Sequence, residues 1–478
     1  MKPAKLDRML PGDVAALISE AEGKAKQAGV APVFGSVLET DEYDPSAMND
    51  EFAFVAMGSN SAIYWNEPEK DARSGPRFLK ESTFRQMFSN KRIDVKDARG
   101  KDISVSWADA WLTWQHRQTY RGVEFFPTST GELGRPRYLN LWNGFAVQPA
   151  KSGTYSIFRD HVRQQWCHGN DVHFAWIWAW FAQLMQRPRE KPGTAIVARG
   201  GQGSGKTIVG EVFGKLLGSH HLLVDDPRYL TGQFNAHMGP CLLLQADEAI
   251  WAGDKAAEGR LKGLITALHQ MIESKGLDPI PMANHCRVLM TTNNDYAVPA
   301  GIDERRYFVV DVSDRVQKNT AYFGEMIDEL EGGGYQSLLF DLLSHDLSKV
   351  DLRETPKTGA LLEQKIHHLD PVGQWLLDRL HAGAPTRKYE RWPDYVHTSE
   401  LYDDFVGASE RAGMKRRAGE TTFGMKLRQF LPGIVKRKES VPDGDSVRRS
   451  YVYRLPTIEA SRQAFDQALG QSIEWGET

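Results

Sequence analysis

Gly200-Gly201-Gln202-Gly203-Ser204-Gly205-Lys206-Thr207 is the stretch that most narrows what this chain of 478 residues can fold into. Such glycine density lets successive backbone N–H groups turn inward, provided that rigid elements hold both ends of the loop. Both flanks supply them. Thr194-Ala195-Ile196-Val197-Ala198 reads as a buried β-strand, and from Thr207 to Leu217 apolar residues recur at the helical period. Strand, loop and helix in that order make a phosphate cradle, with Lys206 as a point charge for the β- and γ-phosphates and the Thr207 hydroxyl suited to Mg²⁺. Gly200 through Thr207 is thus the expected seat of a nucleoside triphosphate, with ATP and Mg²⁺ as the expected ligands.

A hydrolytic site needs more than a cradle. Cys241-Leu242-Leu243-Leu244-Gln245-Ala246-Asp247-Glu248 is an apolar run closed by two carboxylates. In an open α/β sheet, ligands gather beyond the carboxyl ends of strands, so Asp247 is expected in the Mg²⁺ shell and Glu248 beside the attacking water. Arg287-Val288-Leu289-Met290-Thr291-Thr292 forms a further strand, and Asn293 at its tip suits the γ-phosphate and that water, or a simple Asn turn. Arg305-Arg306 precedes the β-like run Phe308 to Val312. Either guanidinium fits an arginine finger; the alternative is a surface ion pair with Asp303 or Glu304.

This ordered set, packed between Gly200 and Arg306, resembles a superfamily 3 helicase. Finer similarity points to the ATPase of phage primase-helicases, in the group of phage polymerase-helicase and poxvirus-type primase-helicase proteins. It is carried by Tyr138-Leu139-Asn140-Leu141-Trp142-Asn143-Gly144-Phe145-Ala146, Leu230-Thr231-Gly232-Gln233-Phe234-Asn235, Ala246 to Asp254, Asn293-Asn294-Asp295 and Val298 to Arg306, and covers roughly residues 120 to 382. The resemblance implies an AAA+-like P-loop ATPase core of α/β class, a finger reaching the neighbouring subunit, and a homo-oligomeric ring, expected to be a hexamer, around single-stranded or forked DNA. It also implies a β-hairpin projecting toward the DNA. Gln270 to Ser274 and Pro279 to Met282 are its candidate arms, with Lys275 at a tip turned by Gly276, either on phosphate or a solvated loop lysine. Lys262, in a helical stretch, is a second candidate for the channel or an exposed helix charge.

Bulk charge decides nothing here. Fifty-nine Lys and Arg against 62 Asp and Glu leave a net charge of −3, and a ring needs positive charge only in its channel and appended modules. Cys167, Cys241 and Cys286 lack C-x-x-C spacing, which excludes a cysteine zinc ribbon and favours a reducing cytoplasm, the host's if a phage encodes the chain. Cys167-His168 with His173 is too sparse for a metal. No signal peptide is evident and the longest apolar run, Phe174 to Ala182, is about half a membrane span, so no membrane role is expected.

The expected organisation is an α+β accessory region over 1–126, with a helix from Pro11 to Ala28 and a hairpin around Gly58-Ser59-Asn60. A helical region over 127–190, the ATPase over 191–315, a helical layer over 316–384 and a small basic module over 385–478 follow. Phe174, Trp178, Phe181 and Met185 form a helical stripe that belongs to the core rather than to base stacking. In the last module, helices Ser399 to Ala412 and Thr421 to Leu431 precede strands Ile434 to Lys438 and Ser450 to Leu455, a winged-helix-like pattern. Between Arg411 and Arg454 twelve Lys or Arg face four Asp or Glu, clustered as Lys415-Arg416-Arg417, Lys436-Arg437-Lys438 and Arg448-Arg449, which suits a phosphate backbone or a solubilising surface.

The expected activity is that of an ATP-dependent, ring-forming DNA helicase in phage-type replication. Alternatives are a replication initiator or DNA-loading ATPase without processive unwinding, and a nucleotide-switched nucleic-acid-binding scaffold. The N-terminal carboxylates Asp41, Glu42, Asp44, Asp50 and Glu51 lack the D-x-D pattern of a primase, so a separate primase or polymerase is the expected partner.

Overall fold

The structure is a computed structural model that describes residues 36–67, 75–96, 99–248, 255–274, 278–298, 300–302, 304–413, 418–443 and 446–476. The helix expected from Pro11 to Ala28, Lys275 with Gly276, and Lys415-Arg416-Arg417 lie outside these residues. The described residues form two compact units, the first running to Tyr120 apart from residues 56–60 and Gly75, which group with the second.

In the first unit the order is α1 (Pro45–Glu51), β1 (Phe52–Met57), β2 (Asn60–Trp65), β3 (Arg77–Leu79), α2 (Glu81–Met87), β4 (Arg92–Lys96), β5 (Asp102–Ser106), α3 (Trp107–Thr113) and β6 (Thr119–Tyr120). Asp44 caps α1 by accepting from the Ser46 N–H at 2.8 Å, with Pro45 at the first helical position. A sheet in the order β3-β2-β1-β6 carries the hairpin expected around Gly58. Its core is aromatic: Phe52, Phe84, Phe88, Trp107 and Trp111 are buried together, with Phe52 and Phe84 edge to face at 5.0 Å.

The second unit opens with β7 (Val123–Glu124), β8 (Leu139–Asn140) and α4 (Ser156–Asp160), which runs on as a π-helix from His161 to Trp166. Next come α5 (Asp171–Gln186), β9 (Ala195–Arg199), α6 (Lys206–Leu217), β10 (His221–Val224), α7 (Arg228–Thr231), β11 (Leu243–Asp247), α8 (Lys255–Thr266), β12 (His269–Ile272), β13 (Ile280–Ala283), β14 (Arg287–Thr292) and β15 (Tyr307–Asp311). Strands β10, β11, β14, β9 and β15 lie in that order in one parallel sheet. All five residues of β9 and all six of β14 are buried, as the continuous apolar runs require when helices cover both faces. The stripe on α5 is core as its spacing implied: Phe181 stacks on Phe213 of α6 with ring centroids 3.5 Å apart, and Trp178 and Met185 are buried. Phe174 is half-buried.

Helices α9 (Thr320–Glu329), α10 (Tyr335–Ser344), α11 (Gly359–His367) and α12 (Pro371–Ala382) follow, then β16 (Tyr395–His397), α13 (Thr398–Arg411), α14 (Glu420–Phe430), β17 (Val435–Asp443), β18 (Ser446–Arg454) and α15 (Ile458–Leu469). The C-terminal core begins earlier than residue 385: Val372, Trp375, Leu376 and Leu380 of α12 pack with Phe405, Phe423, Phe430 and Phe465. Strands β17 and β18 also run further than the sequence suggests, pairing from Val435↔Arg454 out to Asp443↔Ser446. Polar residues 439–443 look like loop because the arm has no apolar alternation, yet a ribbon needs only backbone pairing. Among the described residues no helix is long and apolar enough to cross a membrane.

Candidate functional site

The loop after β9 is held from below and behind. Gly205 takes φ +87, which a side chain would strain, and a Cβ there would lie 2.5 Å from the His161 ring. Its carbonyl accepts from His161 Nε2 at 3.0 Å and from Trp166 Nε1 at 3.5 Å. The i→i+5 ladder of the π-helix brings these two residues, five apart, to the same carbonyl, which an unbroken α-helix would not. Burial pushes the His161 ring below its ordinary value, so the neutral imidazole is favoured.

Lys206 starts α6 and is buried, 6% exposed. Its ammonium donates to the carbonyls of Gly200 at 2.8 Å and Gly201 at 2.7 Å and to Asn293 Oδ1 at 2.8 Å. Burial pushes it down from the usual lysine value, while Glu248, Asp247 and Asp314 pull the other way. Thr207 Oγ1 donates to Asp247 Oδ2 at 3.2 Å, and Thr291 Oγ1 holds Asp247 Oδ1 at 2.5 Å. The parallel register that sets Asp247 opposite Thr291 makes that second bond possible.

Glu248 sits just past β11 with φ +53, a left-handed backbone that costs a non-glycine roughly 1 kcal/mol or more. Its carboxylate accepts from the Asn293 N–H at 2.5 Å and the Thr292 hydroxyl at 3.0 Å. A carboxylate offers about four lone-pair directions, so a water can still be held there. Lys206, Thr207, Asp247, Glu248 and Asn293, far apart in sequence, thus converge at one end of the sheet. Gln202 and Ser204 lie in the same loop.

Arg305 and Arg306 are at the opposite end. The Arg306 carbonyl accepts from Ala195 N–H, level with the start of β9, so the full strand, roughly 16 Å, separates the pair from the loop. Neither reaches the loop of its own chain. They also differ from each other. Arg306 makes two 3.0 Å bonds to the buried Glu304 carboxylate, whereas the Arg305 guanidinium is exposed and has no partner among the described residues. A cavity of about 940 Å³ opens here, lined by Pro192, Glu304, Arg305, Arg306, Arg353 and Lys357.

Of the candidate nucleic-acid contacts, Lys262 is tied to Glu258 one turn back on α8. The β12–β13 hairpin is present, but its tip falls outside the described residues. Lys436, Arg437 and Lys438 are exposed on β17, Lys436 and Lys438 lying over the Tyr451 ring at 5.3 and 5.4 Å, and Arg449 is exposed on the facing strand β18, which also holds Arg448. Sequence reasoning missed His161, Trp166, Thr291 and Gln245. Only Thr291 and Gln245, on strands already singled out, left a local signal.

A family of unknown function, DUF5906, matches residues 198–306, the span holding the loop, Asp247-Glu248, Asn293 and both arginines. A DNA primase-polymerase of Nitratiruptor phage NrS-1 is 24% identical over 206 residues, 42% of this chain and 28% of that protein. This chain therefore matches well under half of that relative's length. The mixed α/β fold is similar to solved apo structures of the NrS-1 C-terminal region. One has a TM-score of 0.61 at 15% identity, covering 86% of this chain and 99% of that one; another has 0.54 at 16%, covering 91% and 92%.

Proposed function

We propose that this chain binds and hydrolyses ATP at Gly200–Thr207 and uses the energy to move on DNA during phage-type replication, as a superfamily 3 helicase does. The convergence of Lys206, Thr207, Asp247, Glu248 and Asn293 within hydrogen-bond reach of one another carries this reading. The similarity to a phage DNA primase-polymerase supports the replication setting.

In this reading the loop amides and Lys206 hold the phosphates, and Asn293, already bonded to Lys206, lies where the γ-phosphate would be sensed. Thr207 and Asp247, two hard oxygen donors 3.2 Å apart, would hold Mg²⁺, which neutralises phosphate charge when bound. Glu248 orients the attacking water. Arg305, exposed and a strand length away from its own loop, serves the loop of a neighbouring copy in a ring, expected to be hexameric. DNA, single-stranded or forked, contacts the β12–β13 hairpin and the basic winged-helix-like module, and a separate primase or polymerase supplies priming in the host cytoplasm.

The test is ATP hydrolysis with and without single-stranded DNA, beside mass measurement with a nonhydrolysable ATP analogue. Lys206→Ala should abolish turnover, and Glu248→Gln should bind ATP without hydrolysing it. Normal turnover in Lys206→Ala would refute the site, and DNA-stimulated hydrolysis without strand separation would point to a loading ATPase.

A further inference from the structure

Residues 313–319, between β15 and α9, form a strap across the glycine-rich loop. The Ser313 N–H donates to the Gln165 carbonyl at 2.8 Å, Gln317 Nε2 to the Gln202 carbonyl at 2.9 Å, and the Lys318 N–H to the Gly203 carbonyl at 2.9 Å. Asp314 of the strap faces Gly201, and Asn319 caps α9 by accepting from the Tyr322 N–H at 3.1 Å.

Lys318 is the unusual member. Its φ is +57, a backbone region that glycine enters freely and lysine does not. Its side chain lies against the loop: a Cβ on Gly203 would come 3.1 Å from Lys318 Cγ. It is exposed, and among the described residues its ammonium has no hydrogen-bond or ion-pair partner. Glycine would be the low-strain choice for the turn alone. A strained lysine with an unpaired charge beside a phosphate cradle indicates that the charge is what the position supplies.

We propose that Lys318 is a second phosphate-binding cation, its ammonium meeting the triphosphate of a nucleotide held by the loop; this rests on the nucleotide reading of Gly200–Thr207. Lys206 grips the phosphates from the helix side, and Lys318 from the strap. The strap thereby senses whether the loop carries a polyphosphate.

The experiment measures binding of ATP and of adenosine, together with thermal unfolding, for the unaltered chain and for Lys318→Gly, Lys318→Arg and Lys206→Ala. Lys318→Gly should weaken ATP binding about tenfold, the loss of one charge-assisted hydrogen bond, leave adenosine binding unchanged, and raise the unfolding midpoint by relieving the backbone. Lys318→Arg should retain most of the affinity. Equal losses for ATP and adenosine, or a lower midpoint, would show a purely structural strap and overturn the proposal. Loss of ATP binding in Lys206→Ala with full affinity in Lys318→Gly would overturn this proposal alone, and an unaltered chain that binds no ATP would overturn both.

Discussion

Gly210→Ala tests how tightly α6 must sit on the sheet. Glycine in a helix interior ordinarily costs roughly 1 kcal/mol against alanine, so the substitution ought to stabilise. The structure reverses the sign. A Cβ at 210 would lie 2.2 Å from Oε1 and 2.3 Å from Cδ of Gln245, which is fully buried on β11. Its amide tip must swing away, although Nε2 donates to the Thr207 carbonyl at 2.9 Å and Oε1 accepts from His221 Nε2 at 2.9 Å. Each of the two buried bonds lost costs about 1–3 kcal/mol, so after the helix gain of roughly 1 kcal/mol the net loss is about 1–5 kcal/mol. Gly259→Ala on α8, where a Cβ meets nothing within 4 Å, is the control and should gain about 0.5–1 kcal/mol. Urea unfolding of both variants decides the matter. A midpoint that rises in Gly210→Ala as it does in Gly259→Ala would refute the reasoning, whereas partial recovery in Gly210→Ala/Gln245→Ala would trace the cost to that contact.

The two arginines should separate cleanly. Arg306→Ala leaves the buried Glu304 carboxylate without its partner and should cost roughly 1–3 kcal/mol in unfolding, discounted because Arg306 is partly exposed. Arg305→Ala should leave the unfolding midpoint in place, lose ATP turnover, and regain some when mixed with Lys206→Ala; no regain would exclude action between copies. Burial pushes His285 down to about 4, so the unfolded chain takes up its proton first as pH falls. Its stabilisation is complete above the ordinary histidine value near 6.5 and fades toward pH 4, by on the order of 2–3 kcal/mol; a stability–pH curve unchanged by His285→Gln would contradict this. Lys436→Glu, Arg437→Glu and Lys438→Glu together should flatten the salt dependence of single-strand DNA binding by about 0.7 in log–log slope per lost contact. An unaltered slope would remove β17 from the DNA surface.

What was legible in the sequence is what is encoded locally. Strand, glycine loop and helix are consecutive, and Asp247 and Asn293 each end a strand whose apolar run announces it, so their convergence follows from the parallel order of the sheet. Partners brought in from elsewhere leave no such mark. His161 and Trp166 reach Gly205 through a π-helix that periodicity does not reveal, and Lys318 arrives from beyond β15. Spacing treats Arg305 and Arg306 alike, and only the direction of the Glu304 carboxylate tells them apart. The early start of the C-terminal core escaped because α12 reads like a continuation of the preceding helices, and it takes Phe405 and Phe423 packed on Trp375 to assign it.

Strand β17 lies at the edge of its three-stranded sheet, with no strand among the described residues paired to its outer row of backbone donors and acceptors. An open edge nine residues long invites a strand from another molecule. Lys436, Arg437 and Lys438 stand exposed on that strand, where repulsion from the same residues of a second copy would oppose two ribbons zipping together. The charges that would attract a polyanion would thus also oppose pairing of two such edges. Neutralising them with alanine would open a route to self-association, while glutamate preserves the repulsion and isolates the change in charge sign.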